Sequence, residues 1–245
     1  MSAVIAAGVS MAAAVLVVVT GYTGPGFLAA AVGVLVLGMA IGWGPLLGLP
    51  DPQGSALLVV LTGGVGVAMA LWSPDPTRPL TWFAPVLALS VIAAFGHELL
   101  RRDGRPGLLE SVSGTLSGQV MALLAAGWLL LPDARIGAAA LLIAAIAVAC
   151  ARAATALPWP MRVTGWAAFG AGAVGAVLAG YVFGAIQLGP AITMGLAVAA
   201  VVAAMDRLLV AQPSGHQGVG LVSASLAPVA AAGTVAYAAV RLLGS

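Results

Sequence analysis

The sequence predicts an all-α, polytopic integral membrane protein of about nine transmembrane helices, and three observations carry that prediction. Of its 245 residues, 62% are hydrophobic and only 7% are charged, against about 25% charged in a soluble domain. The mean hydropathy is +1.14. Proline, glycine and charge cut the chain into apolar runs close to the roughly 20 residues a helix needs to cross hydrocarbon. Only helices and closed barrels satisfy their backbone in lipid, and runs this long and uniformly apolar are not barrel strands.

The runs fall at 3–20, 27–47, 55–73, 80–99, 113–131, 136–157, 164–187, 190–210 and 221–243. The first lacks a basic flank, so it reads as a retained helix rather than a cleaved signal. The separators GYTGPG, LPDPQG, SPDPTRP, PDAR and LGP are turn-formers. The longest polar stretch, 97–111, is too short for a soluble domain. One transmembrane domain, 1–245, is therefore expected, with helices 1–4 in 1–111 and helices 5–9 in 112–245. Gly38/Gly42, Gly114/Gly118 and Gly180/Gly184 are spaced for close helix contact, which in so glycine-rich a chain means packing within the molecule. Trp43, Trp72, Trp82, Trp128, Trp159 and Trp166 lie near the ends of runs and read as an aromatic belt.

Orientation follows from arginine, since all nine basic residues are arginines. An odd helix count puts the termini on opposite sides. The N-terminal side carries Arg101, Arg102, Arg105, Arg152, Arg162 and Arg207; the other carries Arg78, Arg135 and Arg241. The positive-inside rule then makes the N-terminus cytoplasmic and the C-terminus external. The arginine-only basicity and the Ala/Gly/Val/Pro excess fit a GC-rich bacterial genome, hence a bacterial cytoplasmic membrane. So few charges make no surface for nucleic acid. Cys150 stands alone, which excludes a disulfide and a thiolate metal cluster; beside Arg152 near a helix end it reads as a small packing residue.

Three stretches bear a family likeness: 142–180, 203–220 and 221–240. Pro160-Met161-Arg162-Val163-Thr164-Gly165-Trp166, followed by a glycine-rich helix, resembles a phosphate-handling loop. Gly215-His216-Gln217-Gly218-Val219 resembles a second, and the last helix carries Ala227-Pro228-Val229 and Ala236-Tyr237. In order and spacing they resemble the C-terminal half of the bacterial CDP-diacylglycerol synthase (phosphatidate cytidylyltransferase) family. That resemblance implies cytoplasmic loops that once handled CTP and a lipid phosphate, with Mg²⁺ held by carboxylates. The family opens its last helix with two acids; here Leu221-Val222-Ser223-Ala224 stands there. Ala149-Cys150-Ala151-Arg152 lacks another acid, and Met161-Arg162 replaces twin lysines. The likeness therefore implies a scaffold that has lost catalysis, with no metal cofactor unless a rearranged site binds Mg²⁺.

On that scaffold Arg152, Arg162 and His216 would converge as an anion site, with Asp206 and Arg207 at the end of helix 8, where intramembrane charge is costly. The alternatives are a snorkelling Asp206–Arg207 pair at the interface or Asp206 bridging to an arginine of a neighbouring helix, with Arg152 a lipid-phosphate anchor at the helix end. A second group, His97, Glu98, Arg101, Arg102 and Arg105, reads as a membrane-surface or partner contact. Glu98 precedes Arg101 and Arg102 by three and four residues and can pair with them on one helix face. His97-Glu98 lacks the spacing of a zinc helix.

The expected function is a non-catalytic membrane protein that binds an anionic phospholipid or another membrane protein. A small transporter or flippase is the first alternative, although intramembrane charge is scarce and no inverted halves are visible. An active CTP-dependent lipid-phosphate cytidylyltransferase is the second.

Overall fold

The computed structural model describes residues 2–72, 78–102, 104, 107–132, 137–182, 188–210, 212 and 218–243, with the backbone alone at Ser2, Met161, Leu188, Pro190, Val210 and Leu243. The described residues form ten helices and no strand: α1 Ser2–Thr23, α2 Pro25–Leu47, α3 Pro52–Leu71, α4 Phe83–Leu100, α5 Leu108–Ala125, α6 Gly127–Leu130, α7 Ala138–Thr155, α8 Met161–Val182, α9 Leu188–Val210 and α10 Gly218–Leu243. Since α5 and α6 make one span, nine spans among the described residues are long and apolar enough to cross a membrane. The protein is an all-α, multi-pass membrane protein.

Several helices begin earlier than hydropathy alone places them, for local reasons. Pro25 and Pro52 sit in the first turns of α2 and α3, where the missing N–H is no loss. Asp51 caps α3 by accepting the Gly54 N–H at 3.0 Å. The α5 helix starts at Leu108 rather than 113, after Gly107 in left-handed conformation (φ 61°), because its polar first turn finds partners inside the bundle. At the far end of α2, Gly48 (φ 64°) turns the chain so that the Leu49 N–H returns to the Gly44 carbonyl at 2.9 Å.

The α5–α6 break has a packing cause. Gly127 lies against the backbone of Thr234 in α10, and Gly233 against the backbone of Trp128. Thr234 Oγ1 donates to the Leu124 carbonyl at 2.6 Å, and Trp128 Nε1 donates to the Val229 carbonyl at 2.8 Å. Two helices thus meet backbone to backbone, and side-chain hydrogen bonds take up carbonyls at the crossing.

α10 is the axis of the bundle, with 72% of its apolar window buried against 22% for α4. It touches α1, α2, α5, α6, α7 and α9. On one flank α3, α4 and α5 pack together; on the other α7, α8 and α9 do. The two sequence halves interleave, because α1 packs on α7 and α2 on α10. Lipid offers no hydrophobic gain for helix association, so close packing supplies it. Gly42 admits the Val219 carbonyl and Ser223 of α10, Gly172 meets Ala199 of α9, and Gly195 meets Ala176 of α8. Gly38 and Gly42 face α10, Gly118 faces Trp43 and Val59, and Gly180 faces Ala191, all within the chain; Gly184 lies outside the described residues.

The aromatic belt needs correction. Trp72, Trp159 and Trp166 are exposed at helix ends, but Trp43, Trp82 and Trp128 are buried. The indole N–H groups of Trp43 and Trp128 reach carbonyls of Gly114 and Val229 in neighbouring helices, so these rings are satisfied inside the protein. Cys150 is half-buried, with its sulfur against Gly175.

Candidate functional site

Chain alternation brings the N-terminus of α1, the ends of α4, α7 and α9, and the starts of α3, α5, α8 and α10 to one end of the bundle. Most of the charged side chains gather there, in two buried groups and one exposed one.

The first buried group joins four helices. Arg152, in the last turn of α7, is buried; its Nη1 donates to Asp206 Oδ1 of α9 in a short contact, and its Nε donates to Ser10 Oγ of α1 at 3.1 Å. The Ser10 hydroxyl donates a hydrogen bond to the Ser225 carbonyl of α10 at 2.7 Å. Thr155 Oγ1 closes the turn on the Arg152 carbonyl at 2.8 Å. A buried guanidinium paired with a largely buried carboxylate and hydrogen-bonded to Ser10 forms an internal clamp, because a charge in such a place needs both a counter-charge and hydrogen bonds. Asp206 therefore bridges to a neighbouring arginine, and the Arg152 guanidinium is committed inward.

Arg162 and Arg207 behave differently. Both are exposed. Gly165 is buried because the Arg207 guanidinium lies over it, so close that a Cβ there would come within 2.2 Å of Nε. Arg162 lies one turn before Gly165 on the same face of α8. Of the anion site expected from sequence, Arg152 is taken up by Asp206, Arg162 and Arg207 are both exposed, and His216 lies outside the described residues.

The second buried group sits where α3, α4 and α5 meet. Glu98 is 2% exposed; its Oε2 accepts from Arg101 Nη1 at 2.8 Å and its Oε1 takes a short hydrogen bond from the Ser111 hydroxyl. His97 Nδ1 stands 3.7 Å from Glu98 Oε1, and His97 Nε2 is 3.0 Å from Asp51 Oδ2. The Nε2–Cε1 edge of the ring lies against Gly54, where there is no room for a Cβ. Asp51 is held below the usual carboxylate range, first by the Gly54 N–H and, against a smaller opposing effect of burial, by His97. Glu98 and Arg101 thus face the interior as the predicted pair. Arg102 is exposed and free to meet the membrane surface, and Arg105 lies outside the described residues.

From Glu98 a file of buried polar side chains runs inward along α5 at four-residue steps: Ser111, Thr115, Gln119. Thr115 Oγ1 meets Ser55 Oγ at 2.8 Å; Gln119 Nε2 donates to Thr62 Oγ1 at 3.0 Å, which stands 3.2 Å from Ser90 Oγ. The Ser90 hydroxyl donates to the Val86 carbonyl at 2.8 Å, so Thr62 donates to Ser90 and the inner bonds run from Gln119 to Val86. Gln119 Oε1 is buried and has no partner among the described residues.

Sequence reasoning missed Asp51, Ser10, Ser111 and the file. Asp51 did carry a signal, an N-cap acid ahead of proline; the file had one too, in the i, i+4 rhythm of Ser111, Thr115 and Gln119. Ser10 had none, since only the fold brings it to Arg152. Comparison with protein families, with curated proteins and with solved structures finds no match for this chain.

Proposed function

We propose that the protein is a non-catalytic, multi-pass protein of a bacterial cytoplasmic membrane that holds an anionic phospholipid at the cytoplasmic ends of α8 and α9. In this reading the arginine-rich end faces the cytoplasm and the scaffold is similar to that of the phosphatidate cytidylyltransferases. The carrying observation is the division of arginines: Arg152 pairs with Asp206 inside the bundle, whereas Arg162 of α8 and Arg207 of α9 are exposed, with Arg207 lying over Gly165 one turn from Arg162. Two guanidiniums at the headgroup level offer forked donors matched to phosphate oxygens. The likeness of the segment 160–166, which here opens α8 instead of forming a loop, and of the sequence 215–219 supports a lipid phosphate as the ligand, and the missing acids at 221 and 224 support binding without turnover.

The experiment is twofold. Lipid extracted from protein purified in mild detergent is expected to be enriched in an anionic phospholipid. The same preparation given CTP, phosphatidic acid and Mg²⁺ is expected to release no CDP-diacylglycerol. Metal-dependent turnover above a Ser223→Ala control would overturn the non-catalytic reading, and a purely zwitterionic lipid complement would overturn the ligand class. Co-purification of a stoichiometric membrane protein in place of lipid would shift the site to a partner interface.

The transporter reading is favoured by one observation, the buried polar file from Glu98 to Gln119. It predicts pH-gradient-driven proton flux in proteoliposomes that Glu98→Gln and Gln119→Leu both abolish. Flux equal to that of empty liposomes eliminates it.

A further inference from the structure

At the opposite end of the bundle, the turn that opens α4 and the last turns of α10 flank an open, shallow pocket of about 300 Å³ lined by Arg78, Pro79, Leu80, Thr81, Tyr237 and Arg241. Two of the three arginines on this side of the chain thus line one pocket, and no acid is among the described residues that line it. Arg241 is held in place: its Nη1 donates to the Tyr237 hydroxyl at 2.6 Å, and the guanidinium stands 6.0 Å from the centre of that ring. Tyr237 is itself buried, so it is a fixed post rather than a mobile one. The α10 C-terminus adds a partial negative charge that favours a cation here. Across the pocket, the turn bearing Arg78 is closed by Thr81, whose N–H and hydroxyl both donate to the Arg78 carbonyl, at 3.1 and 2.9 Å. Proline and leucine supply the rest of the wall.

We propose that this pocket binds the phosphate of an outer-leaflet phospholipid, with the headgroup between Arg78 and Arg241 and the first methylenes of the lipid against Pro79 and Leu80. The apolar wall decides between a lipid phosphate and a free one. A phosphate ion meeting two exposed guanidiniums gains little over its hydration, whereas a lipid adds buried methylenes at about 0.8 kcal/mol each. The occupant is an anionic phosphodiester lipid rather than inorganic phosphate. This site shares no residue with the one on α8 and α9.

Native mass spectrometry of the full-length protein in mild detergent, titrated with phosphatidylglycerol, tests it. Arg78→Gln combined with Arg241→Gln is expected to weaken one lipid-binding step by about threefold to fivefold, as expected for loss of two exposed charge pairs with phosphate. Tyr237→Phe should weaken the same step by a smaller factor, because the guanidinium stays but is no longer fixed. Arg162→Gln with Arg207→Gln should leave this step unchanged, which separates the two sites. Both pocket arginines are exposed, so unfolding temperatures should not move; if the double variant does unfold, Arg241→Gln alone carries the test. Equal titrations of wild type and variant would overturn the proposal. Displacement of the lipid by inorganic phosphate would overturn its lipid source.

Discussion

Arg152 lies 3% exposed with Asp206 across from it and Ser10 beneath it, and its removal should reveal what the clamp does. Arg152→Ala leaves Asp206 facing a low-dielectric interior and is expected to cost about 3–5 kcal/mol, whereas Arg152→Met with Asp206→Leu should restore most of that stability. Thermal unfolding in detergent of the two variants provides the check; equal losses would mean that the pair is solvated. Asp51 gives a pH signature. Its carboxylate is favoured in the folded state by the Gly54 N–H and by His97, so its folded pKa is lowered. Its contribution is therefore present above the ordinary carboxylate pKa and is lost as pH falls through the lower, folded value. The stability gap between wild type and Asp51→Asn should stay level from about pH 7 to about pH 5 and close below about pH 4. A gap that widened with acid would reverse the assignment. Sequence could nominate Arg152, Asp206 and Glu98 because charge in an apolar helix is conspicuous. It could not say which way each faces, since direction depends on which neighbouring helix supplies a partner.

The helices hold together through glycine at a few crossings, and the crossings differ from the lipid-facing positions in a measurable way. A Cβ at Gly127 would stand 2.3 Å from the Thr234 backbone, and one at Gly42 would stand 2.0 Å from the Val219 carbonyl; Gly33 and Gly64 have nothing within 4 Å. Gly127→Ala and Gly42→Ala should each destabilise the fold by about 1–3 kcal/mol through overpacking against backbone. Gly33→Ala and Gly64→Ala should instead gain up to about 1 kcal/mol from helix propensity. Unfolding temperatures in one detergent rank all four, and a loss at Gly33 as large as at Gly127 would contradict the packing described here. Hydropathy alone located each span to within a few residues, because lipid requires long apolar runs. It missed the starts of α3 and α5, which depend on the Asp51 cap and on partners for Ser111. It also missed the α5–α6 break, which exists only because α10 crosses at Gly127.

Across the whole molecule, the spans divide the arginines by side, and the fold divides those on the arginine-rich side by direction. Arg101 and Arg152 close ion pairs within the bundle; Arg102, Arg162 and Arg207 point out of it. With single cysteines at Ser2 and Ser245 in a Cys150→Ala background, impermeant thiol reagents should label the two ends from opposite sides of the membrane, the first from the cytoplasm; labelling from one side would refute the nine-span topology. The number of spans and the arginine bias were legible in sequence because both are one-dimensional properties. The division into inward clamps and outward arginines was not, because it needs Ser10, Ser111 and Gly165 placed by tertiary packing. The most direct test of the account is native mass spectrometry of bound phospholipid in two double variants. Arg162→Gln with Arg207→Gln is predicted to lose an anionic phospholipid that the wild type retains, while Arg152→Met with Asp206→Leu keeps it. Loss of that lipid from the second variant and its retention by the first would contradict the account.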